Sequence, residues 1–248
     1  MRKFLFTSLS VVSLTFGVSQ TVLAQSTPIP TDDAPEANET PQVDFVFDEA
    51  PDEHAIGEAT APLTMITYAS VTCGHCGNWF SNEWPTIQKA LVDTGKMRFV
   101  LRELPTPPAV LSMTGFLIAA CAPDEDYFDV IQYQMENQKD IFDAAQAGKG
   151  QEAYAKVGAL AGLNTDEEIN ACLSDPTKMD QLRKAGKRAD AAKIQGVPAF
   201  FVNGEAYKGK QDSETIVALI EEMTEKGLSS LPEIEPAETH DKHDGHDH

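Results

Sequence analysis

The sequence is short of cysteine, tryptophan and positive charge. Four of its 248 residues are cysteine, two are tryptophan, and 19 are lysine or arginine against 39 aspartate or glutamate, a formal net charge of −20. That balance argues against nucleic acid and against anionic membrane surfaces as partners. Long apolar runs are scarce too. The one at the start, Phe4 to Val18, is diluted by Thr7, Ser8, Ser10, Ser13 and Thr15, which makes a poor permanent membrane span. With Arg2 and Lys3 before it and Val22-Leu23-Ala24 after it, the run reads as an export signal over residues 1–24. No cysteine follows the cleavage point, so a lipid anchor there is not expected. The remaining chain is expected to be exported and soluble.

The cysteines are few but informative in their placement. All four follow the signal, and an even count in an oxidising compartment allows two disulfides. Two of them stand in Thr72-Cys73-Gly74-His75-Cys76, between a strand-like run at Leu63–Tyr68 and a helical pattern from Asn78 onward. This puts two thiols one helical turn apart, with Cys73 near the helix N-terminus, where free backbone N–H groups and the helix dipole favour thiolate over thiol. A stabilised thiolate leaves readily, so a Cys73–Cys76 disulfide is expected to be easily reduced and therefore oxidising. Cys76 is placed to resolve a mixed disulfide at Cys73, and His75 between them can add a hydrogen bond or partial positive charge. Half of a zinc site is a competing reading, but Cys121 and Cys172 are far apart and have no nearby histidine. An inert disulfide is another, although a two-residue loop is a strained and reducible place for one.

Organisation along the chain follows from composition and period. Residues 25–54 form an acidic tether with Pro28, Pro30, Pro35, Pro41 and Pro51 and no lysine or arginine, a mix that cannot bury enough apolar surface to offset ordering entropy. Disorder is expected to about residue 42, because the alternation Val43, Phe45, Phe47 suits a short strand or a docked segment. A single domain is expected over 55–228, followed by an acidic, disordered tail at 229–248. In the domain, the thiol-bearing helix runs to about Thr94 with a kink or break at Pro85. Met97–Leu104 is a second strand with Phe99 and Leu101 on one face, and Pro105, Pro107 and Pro108 end it. A helical insertion at about 105–192 follows. It holds the apolar run to Cys121, the segments Tyr127–Asn137 and Glu152–Leu160, a capping box at Thr165–Glu168, and a helix opened by Ser174-Asp175-Pro176. Strand character returns at Ala199–Val202; Asn203-Gly204 signals a hairpin to Glu205–Tyr207. Ser213 is expected to cap a last helix that Gly227 ends. The fold class is α/β with a mixed sheet.

That order, with Cys73-Gly74-His75-Cys76 opening the first helix and Gly196-Val197-Pro198 just before the hairpin, resembles the thioredoxin fold. The helical insertion narrows the resemblance to the DsbA-like thiol oxidases. Ala61-Pro62, Tyr68-Ala69-Ser70, Thr94-Gly95-Lys96 and Val202-Asn203-Gly204 extend it over about residues 55 to 226. The resemblance implies that Pro198 is cis beside the thiol pair and that the Val197 backbone pairs with an extended substrate peptide. It further implies a periplasmic protein that gives disulfides to exported cysteine-containing chains during their folding. A membrane quinone-linked, DsbB-like partner would reoxidise it. Two features depart from the family. Gly74-His75 resembles the protein disulfide isomerase dipeptide, which suggests a milder oxidant. Thr67 occupies the position, six residues before the first cysteine, where many relatives carry a buried carboxylate; Glu103 or water would then move the Cys76 proton. A glutamate ending an edge strand, though, is more often solvated.

Cys121 and Cys172 in the insertion read first as a structural disulfide, with a second redox relay as the sharper alternative. Residues 239–248 hold four of the six histidines; a solvated end is the plainer reading there, weak binding of zinc, nickel or copper the other. Trp79, Phe80 and Trp84 suit either a substrate groove or the core. His54 is given no role. The expected assignment is a monomeric, exported thiol:disulfide oxidoreductase with no cofactor and no defined metal site. Its residues are Cys73, Cys76 and His75 for exchange and Val197 and Pro198 for the peptide. The rivals are a reductase or isomerase kept reduced by a partner, and a metal-binding protein using the thiols and the histidine tail.

Overall fold

The computed structural model describes residues 43–233. The expected export signal, the tether before residue 43 and the histidine-rich end of the tail lie outside them. Five strands form one mixed sheet in the order β1-β3-β2-β4-β5. These are β1 (His54–Ile56), β2 (Leu63–Ala69), β3 (Met97–Glu103), β4 (Ala199–Val202) and β5 (Glu205–Tyr207). β2 and β3 run parallel, with Thr67 opposite Leu101 and Ala69 opposite Glu103; the other pairings are antiparallel. The hairpin between β4 and β5 turns at Asn203 and Gly204, both with positive φ (46° and 82°), which is what the Asn-Gly pair permits without a steric penalty.

The alternation of side chains along the strands divides the core. Met65, Ala69, Phe99, Leu101, Phe200 and Val202 join the larger cluster together with Cys76, Trp79 and Phe80. Ile66, Tyr68, Val100 and Phe201 point the other way and pack with Ala189. Between β2 and β3 the chain forms α1 (Gly74–Asn82) and then α2 (Trp84–Ile87), which has Pro85 in its first turn. A π-helical stretch, Gln88–Val92, completes this connection. The proline thus falls just after the break, where its missing N–H costs no helical bond. Between β3 and β4 lie α3 (Ala109–Ala119), α4 (Tyr127–Glu136), α5 (Gln138–Gln146), α6 (Gly150–Leu160), α7 (Asp166–Leu173) and α8 (Pro176–Ala191). Thr165 and Glu168 form the capping box of α7, and Pro176 opens α8 behind the Asp175 cap. α9 (Ser213–Lys226) ends at Gly227 in the left-handed region, φ 62°.

The structure departs from the sequence expectation in three places. Residues 43–53 are docked on the fold, the second of the two readings of the Val43, Phe45, Phe47 alternation, rather than part of a tether reaching residue 54. They form no strand, and carbonyls of Phe45, Val46 and Asp48 accept hydrogen bonds from the guanidinium of Arg102, which is fully buried. Glu53 pairs with Arg102 at 2.6 Å and with Arg188 at 3.1 Å. A buried guanidinium needs this many acceptors, because an unpaired charge out of water is costly. Second, β1 begins at His54, and the His54 ring stacks on Tyr127 at 3.7 Å between centroids. Third, the cap of α9 is Asp212, whose carboxylate accepts from Thr215 N–H at 2.8 Å, with Ser213 already inside the helix. Asp and Ser cap about equally well, so sequence alone does not order adjacent ones.

Candidate active site

Cys73 is the N-cap of α1, extended at φ −85° and ψ 119°, and no side chain caps that helix. Its backbone is held on both sides, N–H to the Ser70 carbonyl at 3.1 Å and carbonyl to Gly77 N–H at 2.9 Å. The turn before it is knitted to the loop after β3. Ser70 Oγ accepts from Thr106 N–H at 3.1 Å, and the Thr72 hydroxyl donates to the Thr106 carbonyl at 2.9 Å. Ser112 Oγ donates to that same carbonyl at 3.0 Å. From the helical block, the Gln138 amide donates to the carbonyls of Val71 and Cys73 at 3.0 and 2.9 Å.

The two thiols, both free, differ sharply in setting. Cys73 is partly exposed, whereas Cys76 is buried at 0 % exposure. Burial pushes the Cys76 thiol far up, opposed only in part by hydrogen bonding to the backbone at Ser70. Cys73 Sγ lies 3.4 Å from the Val197 carbonyl, and the Val197–Pro198 bond is cis. Cys73 and the Val197-Pro198 pair, more than a hundred residues apart in the chain, therefore meet at one end of β2. His75 is exposed and lines a hollow of about 210 Å³ with Asn78, Trp79, Glu83, Pro198, Gln211 and Asp212. Trp79 is a core residue, 4 % exposed, that also borders the hollow and donates Nε1–H to the Gln211 carbonyl at 2.8 Å. Phe80 and Trp84 are core.

Thr67 is wholly buried, and its hydroxyl has no hydrogen-bond partner among the described residues. Glu103 is not the solvated end of an edge strand, because β3 lies between β1 and β2. Its carboxylate accepts from the Tyr127 hydroxyl at 2.7 Å, and burial raises its pKa. Cys121 and Cys172 are joined as a disulfide with 6.1 Å between Cα atoms, tying α7 to the end of α3. Among the described residues, no group of three or more His, Cys, Asp or Glu side chains converges as a metal site would. Nor is any described helix long and apolar enough to cross a membrane. Gln138 and the Ser70–Thr106 bonds were not foreseen, since amides and hydroxyls in helices and loops carry no periodic signal.

An accessible thiol at a helix start, a shielded thiol one turn on and a proline loop against the first define a thiol:disulfide oxidoreductase. A thioredoxin family model matches residues 49–222, and the chain belongs to that family. A Rickettsia bellii protein, provisionally named a protein-disulfide oxidoreductase, is 30% identical over 189 residues, 75% of this chain and 70% of its own length. A similarly named Rickettsia prowazekii protein is 28% identical over 192 residues, 76% of this chain and 68% of its own. Among solved structures, alpha-DsbA1 of Wolbachia pipientis superposes with a TM-score of 0.64 at 23% identity, over 73% of this chain and 94% of that one. Oxidised BdbD from Bacillus subtilis does so at 0.58 and 21% identity, over 70% and 94%.

Proposed function

We propose that this chain is a periplasmic oxidase that passes the Cys73–Cys76 disulfide to exported proteins. The observation that carries the reading is the inequality of the two thiols: Cys73 open beside Val197, Cys76 buried with its thiol pushed up. A substrate thiolate attacks Cys73 Sγ, the Cys73–Cys76 bond breaks, and Cys76 leaves and takes up a proton. A second substrate thiolate then attacks the substrate sulfur of the mixed disulfide. It forms the substrate disulfide and expels Cys73, so two electrons end on the protein as its dithiol. An extended peptide lies along Val197-Pro198, with side chains reaching the hollow beside His75. Residues 1–24 direct export, Cys121–Cys172 is structural, and a membrane quinone-linked, DsbB-like partner removes the two electrons. The protein works as a monomer.

The test is the redox equilibrium of Cys73–Cys76 with glutathione. A potential toward that of DsbA, about −120 mV, supports an oxidase; one near that of thioredoxin, about −270 mV, refutes it and favours a reductase.

A further inference from the structure

Gln138, the first residue of α5, directs both N–H bonds of its side-chain amide onto the backbone of the thiol turn: 3.0 Å to the Val71 carbonyl and 2.9 Å to the Cys73 carbonyl. Both partners are acceptors, so the NH2 group must be the side that faces them. The amide lies flat against Gly77 in the second turn of α1. A Cβ on Gly77 would fall 2.5 Å from Gln138 Oε1, 2.6 Å from Cδ and 2.8 Å from Nε2. The glycine is therefore what lets the amide approach, and in a helix interior glycine otherwise costs stability relative to alanine. These observations are independent, one a pair of hydrogen bonds and the other a steric cradle. Both put a side chain of the helical block on the backbone of Cys73.

We propose that Gln138 is a positioning residue for the thiol pair, clamping the Val71 and Cys73 carbonyls so that Cys73 is presented to Val197 and to the first-turn N–H groups of α1. The proposal rests on Cys73–Cys76 being the reacting centre. The need for a clamp is visible in the turn. Cys73 is an N-cap without a side-chain cap bond, so the conformation that aims its sulfur is held only through its neighbours. The Ser70–Thr106 bonds fix the turn from the β3 side, and Gln138 fixes it from the helical block. In the dithiol form described here, the clamp fixes the Cys73 backbone with its sulfur 3.4 Å from the Val197 carbonyl and at the N-terminal end of α1, where a thiolate is favoured, which stabilises the reduced form relative to the disulfide. Without it the Val71 carbonyl loses its partner, the turn relaxes, and the balance moves toward the disulfide.

The experiment uses the full chain as wild type, Gln138→Ala, Gly77→Ala and the double variant. Each is equilibrated with reduced and oxidised glutathione, and the Cys73–Cys76 pair is read by alkylation and mass. In this exchange the protein dithiol gives two electrons and two protons to glutathione disulfide, yielding the protein disulfide and two glutathione molecules. Gln138→Ala should shift the equilibrium constant toward the protein disulfide by about fivefold, the effect of one ordinary hydrogen bond. Gly77→Ala, which keeps the glutamine but pushes it off, should shift it in the same direction, and the double variant should go no further than Gln138→Ala. A merely structural glutamine would lower the melting temperature and leave this equilibrium alone. Folded variants within about twofold of wild type, well under the expected hydrogen-bond effect, would overturn the proposal. Should Gln138→Ala not fold, an unshifted Gly77→Ala decides against it equally. A wild-type pair that does not interconvert with glutathione overturns both the proposal and the function it rests on; an interconverting wild type beside unshifted variants overturns the proposal alone.

Discussion

Glu53→Ala should destabilise the fold more than any other single change in residues 43–53. Arg102 is 0% exposed and Glu53 4%, with Nε donating to Oε1 at 2.6 Å and Nη2 to Oε2 at 3.2 Å. Arg188, 8% exposed, donates to the same Oε1 at 3.1 Å. Removing the carboxylate leaves the buried Arg102 without a counter-charge, while Arg188 keeps Asp52 at 3.0 Å. The Tyr68 hydroxyl and three carbonyls remain for the Nη groups of Arg102, but its Nε–H, bonded only to Glu53, and its charge are left unpaired. Breaking a buried pair from one side costs about 3–5 kcal/mol, which for a domain of this size is a fall in Tm of roughly 10 °C. Calorimetry of wild type and variant measures it directly. Glu49→Ala is the internal control: its partner Arg98 is paired at 2.5 Å but is 20% exposed beside a carboxylate 28% exposed, so about 1 kcal/mol or less is expected. Equal Tm values for wild type and Glu53→Ala would refute the view that this segment is anchored by its buried charges.

Cys76→Ser should let a mixed disulfide with substrate accumulate at Cys73, while Cys73→Ser should abolish exchange; trapping by Cys73→Ser instead would reverse the assigned order. Cys121→Ala opens a loop spanning 51 residues and should cost about 4 kcal/mol on the chain-entropy model without loss of exchange. A folded but inactive Cys121→Ala would make that pair part of the redox chemistry. Burial, reinforced by Lys178 and opposed by Asp124, holds His54 at about 4, below its ordinary 6.5. The unfolded chain then binds a proton that the folded one refuses, so stability is intact above pH 6.5 and falls as the pH drops toward 4, by up to ~3 kcal/mol. Glu103, raised by burial, acts in the opposite sense, losing stability as it ionises with rising pH. His54→Phe keeps the stack on Tyr127 and should flatten or reverse the acid-side fall in urea midpoints; an undiminished fall would place it on other groups.

What the sequence made legible is what local chemistry decides. The strand at Leu63, the thiols at the head of α1, the Asn203-Gly204 turn and the Thr165 capping box each carry their reason within a few residues. Residues 43–53 do not. Apart from the Val43, Phe45, Phe47 alternation, their acidity and Pro51 match a tether, and the opposing fact is Arg102, about fifty residues away, whose donors are met by that segment. Glu103 was misjudged for the same reason. Its strand is interior only because three-residue β1 pairs on the far side, and so short a strand has no readable alternation. α5 escaped notice because none of its residues is buried, leaving no apolar stripe to see.

The CGHC motif does not settle which way electrons flow. Direction depends on the free energy of the dithiol relative to the disulfide, and that difference is set by what surrounds the two sulfurs. Here those surroundings come from four separate places: the Ser70–Thr72 turn, the loop at Thr106, Gln138 on α5, and Val197 before β4. Cys76 adds an intrinsic bias. Shielded from water, it is poorly stabilised as a thiolate, so its departure from Cys73 must be matched by rapid protonation. No carboxylate stands at Thr67 to supply that proton, and Glu103 is already engaged with Tyr127. The stabilisation of the dithiol must therefore fall mainly on Cys73, whose sulfur lies against the Val197 carbonyl and whose backbone is held by the turn and by Gln138, rather than on an acid beneath the pair.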